Sequence, residues 1–129
     1  MNNLVSAYLG DAVYELHIRK YLINSGIAKV KDLSKESINY VSAPSQRRIL
    51  EELINRNILS KEEIEIVNRG RNASSHRSKT TDIITYKKAT GFECLIGYLY
   101  ENNIERCNEL LDYITGELWE YVEKTFLMN

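Results

Sequence analysis

The chain has 129 residues, of which 43% are hydrophobic and 27% are charged, and its formal net charge is −1. This composition is typical of a globular protein and excludes a disordered chain, and one proline and six glycines leave little room for strands joined by tight turns. The sequence has neither an apolar run of about 18 residues nor a secretory signal, so we expect a cytoplasmic protein without a membrane span. We expect residues 1–129 to form one all-α domain around an ordinary hydrophobic core.

Helical periodicity dominates the sequence. With Asp32 and Ser60 among the predicted caps, helices are predicted at residues 4–24, 32–41, 44–55, 60–70, 83–102, 104–114 and 117–127. The polar stretch 71–81 has no apolar period and is predicted to be a loop. On the first helix, the residues expected to face the core are Val5, Leu9, Ala12, Val13 and Leu16. The sequence therefore predicts a bundle of six or seven helices.

Two of the predicted helices each carry one carboxylate inside an apolar segment. Asp11 follows Gly10 in the first helix, and Glu93 lies 82 residues later in the long helix. Burying a lone carboxylate costs several kcal/mol unless a positive group compensates it. If the two helices approach closely at the glycine, both acids could share one divalent cation, and magnesium suits such oxygen ligands. Each acid could instead meet an arginine or a backbone N–H inside the bundle.

Cations concentrate between Arg69 and Lys88, where the net charge is +5 while the rest of the chain carries about −6. A confined basic stretch on an acidic domain is typical of a surface for a polyanion, although a solvated loop with incidental charge fits the count equally well. Polar and cationic side chains in this stretch supply donors for the phosphates of a polyanion. The candidate polyanion-binding residues are Arg69, Arg71, Asn72, Ser75, His76, Arg77 and Lys79.

Three segments of the sequence resemble, in order, those of one enzyme family. They are LGDAVYEL at residues 9–16, RGRNASSH at residues 69–76 and FECLIGYLY at residues 92–100. Together they resemble the ribonuclease III catalytic domain, and most closely its compact Mini-ribonuclease III branch, which consists of that endonuclease domain alone. The resemblance implies hydrolysis of double-stranded RNA, rather than DNA, to 5′-phosphate and 3′-hydroxyl ends. It further implies a role in maturation of the precursor of large-subunit (23S) ribosomal RNA.

The resemblance also assigns roles to individual residues. It implies that Asp11 and Glu93 are the catalytic metal ligands and that they bind magnesium, for which manganese can substitute. The two other metal-site acids of full-length family members fall on Ala7 and Thr90, neither of which can bind a metal as an anion. We therefore expect one magnesium ion to be held well, and any second ion mainly through RNA phosphates.

The resemblance implies that the candidate residues of the basic stretch bind duplex RNA, through its phosphates and 2′-hydroxyl groups. It also implies a homodimer whose two sites flank a groove for the RNA duplex. Tyr8 occupies the place of an aromatic residue that inserts across the dimer interface, although a core tyrosine is an alternative. Two alternative functions are compatible with the same helical fold. One is a non-catalytic dimer that binds double-stranded RNA, and the other is a helical protein-interaction module in which Asp11 and Glu93 are paired polar core residues.

Overall fold

The computed structural model describes residues 1–74 and 82–123, and within them the protein is helical with no strand. The predicted all-α fold is thereby confirmed. The helices are α1 Asn3–Asn24, α2 Val30–Val41, α3 Ala43–Asn55, α4 Lys61–Ala73, α5 Ile83–Asn102, α6 Ile104–Tyr113 and α7 Trp119–Val122, with a π-helical turn at Ile114–Leu118. In the described part of the chain, no helix is both long and apolar enough to cross a membrane.

The helix starts are set mostly by side chains that cap exposed backbone N–H groups. At α4 the predicted capping box is present, because Ser60 N donates to Glu63 Oε1 at 2.9 Å and Glu63 N donates to Ser60 Oγ at 3.1 Å. Helix α2 begins earlier than predicted, at Val30. Asp32 therefore lies in its first turn, where a negative charge still stabilises the helix dipole, and does not cap it.

Helix α5 is the central element, and it packs against α1, α3, α4 and α6. Half of its residues are buried, so it is covered on most sides, as expected for a helix that is apolar nearly all round. Aromatic contacts join the other helices to this centre. The Tyr14 and Phe92 rings meet edge to face at 5.1 Å, Tyr14 Oη donates to Tyr40 O at 2.9 Å, and the Tyr40 ring stacks on Trp119 at 3.9 Å.

Helices α1 and α5 approach so closely that their backbones touch at two glycines. A Cβ atom on Gly10 would overlap the carbonyl oxygen of Glu93 and would lie 2.8 Å from Gly97 N. A Cβ atom on Gly97 would likewise overlap Ser6 O and would lie 3.0 Å from Gly10 N. Glycine is therefore required at both positions, which confirms the close approach that Gly10 predicted.

The predicted inward face of α1 is wrong for Val5, Ala12 and Leu16, whereas Leu9 and Val13 are half-buried and Val13 packs against the core. Val5 and Leu16 are 46% and 61% exposed, and Ala12 is exposed as well. The face that packs inward instead consists of Ser6, Ala7, Gly10, Tyr14, Ile18 and Leu22. The close approach to α5 explains the difference, because only small side chains fit between the two backbones and the larger apolar residues are turned outward.

The C-terminal helices are interrupted where the sequence predicted. Helix α6 ends at Tyr113, and Gly116 leaves the helical conformation inside the π-helical turn before α7 begins. His17 of α1 contacts this turn through Thr115, with 3.0 Å between Nε2 and Oγ1. The predicted end of the last helix at residue 127 lies outside the described residues.

Candidate active site

The packing of α1 on α5 brings the two predicted acids together. The side chains of Asp11 and Glu93 are hydrogen-bonded to each other, and the residue before Asp11 is the glycine that touches the Glu93 backbone. Glu93 is partly buried, as expected, whereas Asp11 is exposed, which differs from the expectation that both carboxylates are at least half-buried. Asp11 is exposed because it occupies the edge of the buried face of α1, between Gly10 and the outward apolar residues.

The proton affinity of Glu93 is strongly raised. Burial, together with the hydrogen bond and charge of Asp11, raises the pKa of Glu93 to about 8. The negative charge of Glu15 adds to the same effect. In the metal-free protein at neutral pH, one proton is therefore held on Glu93, because two carboxylates at hydrogen-bonding distance repel when both are ionised.

A buried glutamine on α3 completes the arrangement, and the sequence analysis did not identify it. Gln46 Nε2 donates to Val41 O at 3.2 Å and to Glu93 Oε2 at 3.4 Å. The side chain is only 2% exposed, and its Oε1 atom has no hydrogen-bond partner among the described residues. The signal was available, since Gln46 precedes the buried Ile49, Leu50 and Leu53 at helical spacings of three, four and seven.

The donor set fits a magnesium ion. Within residues 1–74 and 82–123, the ion pairs include neither Asp11 nor Glu93, so no arginine or lysine pairs with either acid there. The same residues contain no group of three or more His, Cys, Asp or Glu side chains suited to a metal. Two carboxylates are hard oxygen ligands, and magnesium commonly rests on one or two carboxylates while keeping several waters.

The positions of the two missing family acids have structural roles. Ala7 is buried against the neighbouring helices. Thr90 Oγ1 donates to Tyr86 O at 3.0 Å and accepts from Ser74 Oγ at 3.4 Å. Lys87 Nζ also donates to Ser74 O, at 2.9 Å. Thr90 and Lys87 together fasten the C-terminal end of α4 to α5, at the start of the basic stretch.

The basic stretch is partly helical, which corrects the prediction that α4 ends at Gly70. Gly70 packs under Cys94 and Gly91, so it serves close helix packing and α4 continues to Ala73. Arg69, Arg71 and Asn72 therefore lie on the last turns of α4, with Arg69 and Asn72 exposed. Of the other predicted RNA-binding residues, those outside the described residues are Ser75, His76, Arg77 and Lys79. Lys88 forms an ion pair with Glu51 at 2.6 Å, so part of the positive charge is neutralised within the fold.

Tyr8 lies on the outward face of α1 and is 84% exposed, so the alternative of a core tyrosine is wrong. Leu4, Val5 and Leu16 are exposed on the same helix. A shallow groove beside Tyr8 is bounded by Val5 and by Ala73 at the end of α4. The outward face of α1 is therefore an apolar surface adjacent to the carboxylate pair.

Comparisons with known proteins agree with this geometry. A family model described as the ribonuclease III domain matches residues 4–103. A Mini-ribonuclease 3 of Acholeplasma laidlawii is 46% identical over 112 residues, covering 87% of this chain and 90% of that protein, and one of Enterococcus faecalis is 40% identical over 126 residues, covering 96% of each. An X-ray structure of a Fusobacterium nucleatum protein aligns with a TM-score of 0.76 at 32% identity, covering 91% of this chain and 94% of that one.

Proposed function

The chain belongs to the Mini-ribonuclease III branch of the ribonuclease III family and is an endoribonuclease, and on this premise we propose that it is a magnesium-dependent enzyme that cuts double-stranded RNA. The observation that carries the proposal is the hydrogen-bonded pair of Asp11 and Glu93, in which the pKa of Glu93 is raised to about 8. Two acids held this close are unfavourable in the metal-free protein, and a divalent cation would relieve their repulsion.

The residues of the site have separate tasks in this proposal. Asp11 and Glu93 would hold the ion, and the proton on Glu93 would leave when the ion binds, because metal ligands must be deprotonated. A bound magnesium ion would supply an activated water for hydrolysis and would neutralise charge developing on the phosphate. The exposed Arg69 and Asn72 at the end of α4 would contact the RNA backbone, together with the rest of the basic stretch.

The proposed biological substrate is the precursor of large-subunit (23S) ribosomal RNA, processed in the cytoplasm. Support comes from the likeness to Mini-ribonuclease 3 proteins, which covers 87% of this chain in the Acholeplasma laidlawii relative. The substrate is a duplex in this proposal, because the donors at the end of α4 suit phosphates and 2′-hydroxyl groups and no base-reading element is needed.

Purified protein incubated with a long RNA duplex at low salt tests the proposal. We expect short duplex products with 5′-phosphate and 3′-hydroxyl ends in magnesium, and no products in chelator. Single-stranded RNA of the same sequence and a DNA duplex serve as matched controls, and both should stay intact. Gel electrophoresis with end-labelled strands gives the cleavage positions. If magnesium left the duplex RNA bound but uncut, the proposed activity would be wrong and a duplex-binding role would replace it.

We further propose that two copies pair through the outward apolar face of α1, with Tyr8 at the interface. Replacing Tyr8 by aspartate would bury a charge in that interface, so Tyr8→Asp should convert the dimer to a monomer. Light scattering after size-exclusion chromatography measures this, with Tyr100→Asp as the control because Tyr100 is an exposed tyrosine on α5. A monomeric wild type, or a Tyr8→Asp variant that stays dimeric, would contradict this assignment.

A further inference from the structure

We infer that Gln46 is a positioning residue of the carboxylate site, where its amide group orients Glu93 and its free carbonyl oxygen accepts a hydrogen bond from a water kept by the bound ion. The inference rests on the proposed magnesium site and adds to it a third residue, on a third helix. Asp11 lies on α1, Glu93 on α5 and Gln46 on α3, so the site would be held from three elements.

The orientation of the Gln46 amide is fixed by its surroundings. Its Nε2 atom contacts two acceptors, the carbonyl oxygen of Val41 and a carboxylate oxygen of Glu93. With the amide turned over, its own oxygen would face the Val41 carbonyl oxygen, which cannot donate, and that hydrogen bond would be lost. Because Val41 ends α2 and Gln46 lies in α3, the amide ties the Glu93 carboxylate to a rigid part of the backbone. This hydrogen bond thereby restricts the orientation of the Glu93 carboxylate group.

The same orientation leaves Gln46 Oε1 buried without a partner among the described residues. Amide bond lengths place this atom no more than about 6 Å from Glu93 Oε2. Buried acceptors are nearly always satisfied in native proteins, so an unpaired one beside a charged site calls for a partner that binds there. Magnesium keeps several of its waters, and such a water is a donor that would satisfy Oε1.

A purely structural role is the competing explanation, in which Gln46 only links α3 to α5. The chain offers a control for it. Arg47 Nη1 donates to Thr85 Oγ1 at 2.9 Å, so the next residue of α3 makes another side-chain hydrogen bond to α5. Thr85 is buried, and the Thr85→Val substitution removes this bond and the bond from Thr85 Oγ1 to Asp82 Oδ2, without touching Glu93.

The first test compares Mn²⁺ affinity in wild type, Gln46→Met and Thr85→Val, with free Mn²⁺ followed by electron paramagnetic resonance. Methionine has a similar length and lacks both the donor and the acceptor. Because residues that orient metal ligands typically change affinity 10- to 100-fold, we expect Mn²⁺ binding about 10-fold weaker or worse in Gln46→Met. We expect wild-type affinity in Thr85→Val. In cleavage assays, Gln46→Met should lower kcat and leave KM for the RNA duplex unchanged.

A second test is made on wild type and does not depend on whether a Gln46 variant folds. Gln46 is the only glutamine in the chain, so labelling with ¹⁵N-glutamine gives a single side-chain amide signal. We expect saturating Mg²⁺ to shift this signal, and Mn²⁺ at low stoichiometry to broaden it. The same additions to Asp11→Asn, which lacks one of the two anionic ligands, should have little effect.

The outcomes separate this inference from the proposed function. If wild type binds no Mn²⁺ and cuts no duplex, the proposed magnesium site is wrong and the inference falls with it. If wild type binds and cuts, but Gln46→Met matches it in Mn²⁺ affinity and kcat, only the inference is wrong. An amide signal unmoved by Mg²⁺ and unbroadened by Mn²⁺ would overturn it equally, even if Gln46→Met failed to fold.

Discussion

The Glu93→Gln variant should lose cleavage by about 10³-fold or more and yet should be more stable than wild type in metal-free buffer above pH 8. Activity is lost because an amide cannot replace the second anionic ligand. Stability is gained because burial and Asp11 disfavour the ionised form of Glu93, raising its pKa to about 8, and glutamine has no charge to destabilise. Opposite changes in activity and stability are expected when a residue is selected for chemistry.

The pH dependence of stability follows from the direction of this shift. The folded protein binds the Glu93 proton more tightly than the unfolded chain does, between the ordinary pKa of 4.5 and about 8. The free energy of unfolding of the metal-free wild type therefore falls as pH rises through this window, and the penalty is complete above it. Each unit of pKa difference corresponds to about 1.4 kcal/mol, so the full effect is of the order of a few kcal/mol.

Thermal unfolding followed by circular dichroism, in chelator at pH 5.5 and pH 9, measures this effect. The difference in Tm between Glu93→Gln and wild type should be small at pH 5.5 and large at pH 9. Glu101→Gln is the matched control, because Glu101 is an exposed glutamate on the same helix. Magnesium should then stabilise wild type at pH 9 and leave Glu93→Gln unchanged. If wild type and Glu93→Gln lost stability equally between pH 5.5 and pH 9, ionisation of Glu93 would not be what destabilises the folded protein.

The parts of this fold that the sequence predicts well are those controlled by local chemistry. Helix starts depend on a side chain reaching its own backbone, so the Ser60 and Glu63 capping box could be identified from spacing alone. The close helix contact at Gly10 could be predicted for a similar reason. A glycine inside a helix lowers its stability, so its presence there indicates that a neighbouring backbone leaves no room for a side chain. The meeting of Asp11 with Glu93 follows from that contact.

The parts that the sequence does not predict depend on what each helix meets. The helical period of apolar residues predicts that Val5 and Leu16 face inward, yet the backbones of α1 and α5 touch where side chains are smallest. The position of Gly70 after an apolar period predicts a helix end, but α4 continues past it, and Gly70 instead allows α4 to pack closely against Cys94. The spacing of Gln46 to Ile49, Leu50 and Leu53 indicates an inward position, but only the tertiary contacts place its amide beside Glu93.

The Gly10→Ala variant should be strongly destabilised, although alanine is the better helix former by about 0.5–1 kcal/mol. Its Cβ atom would overlap the Glu93 carbonyl oxygen, which is backbone and cannot move unless the two helices separate. Overpacking a core costs about 1–3 kcal/mol when side chains can adjust, and here they cannot, so we expect a loss of about 3 kcal/mol or more. For a domain of this size, Tm should fall by about 10 °C or more.

The same substitution should also weaken metal binding, because the overlap is with the residue that carries one of the two carboxylates. Gly26→Ala is the control, since a Cβ there meets nothing within 4 Å and only the positive φ of 99° opposes it, at about 1 kcal/mol. Thermal unfolding and Mn²⁺ titration of the two variants separate the effect of the steric overlap at Gly10 from the effect of the backbone conformation at Gly26. If Gly10→Ala melted within a few degrees of wild type and kept its Mn²⁺ affinity, the glycine contact would not be what brings Asp11 to Glu93. If both properties fell together, the glycine that allows the helices to pack would also be the residue that builds the catalytic site.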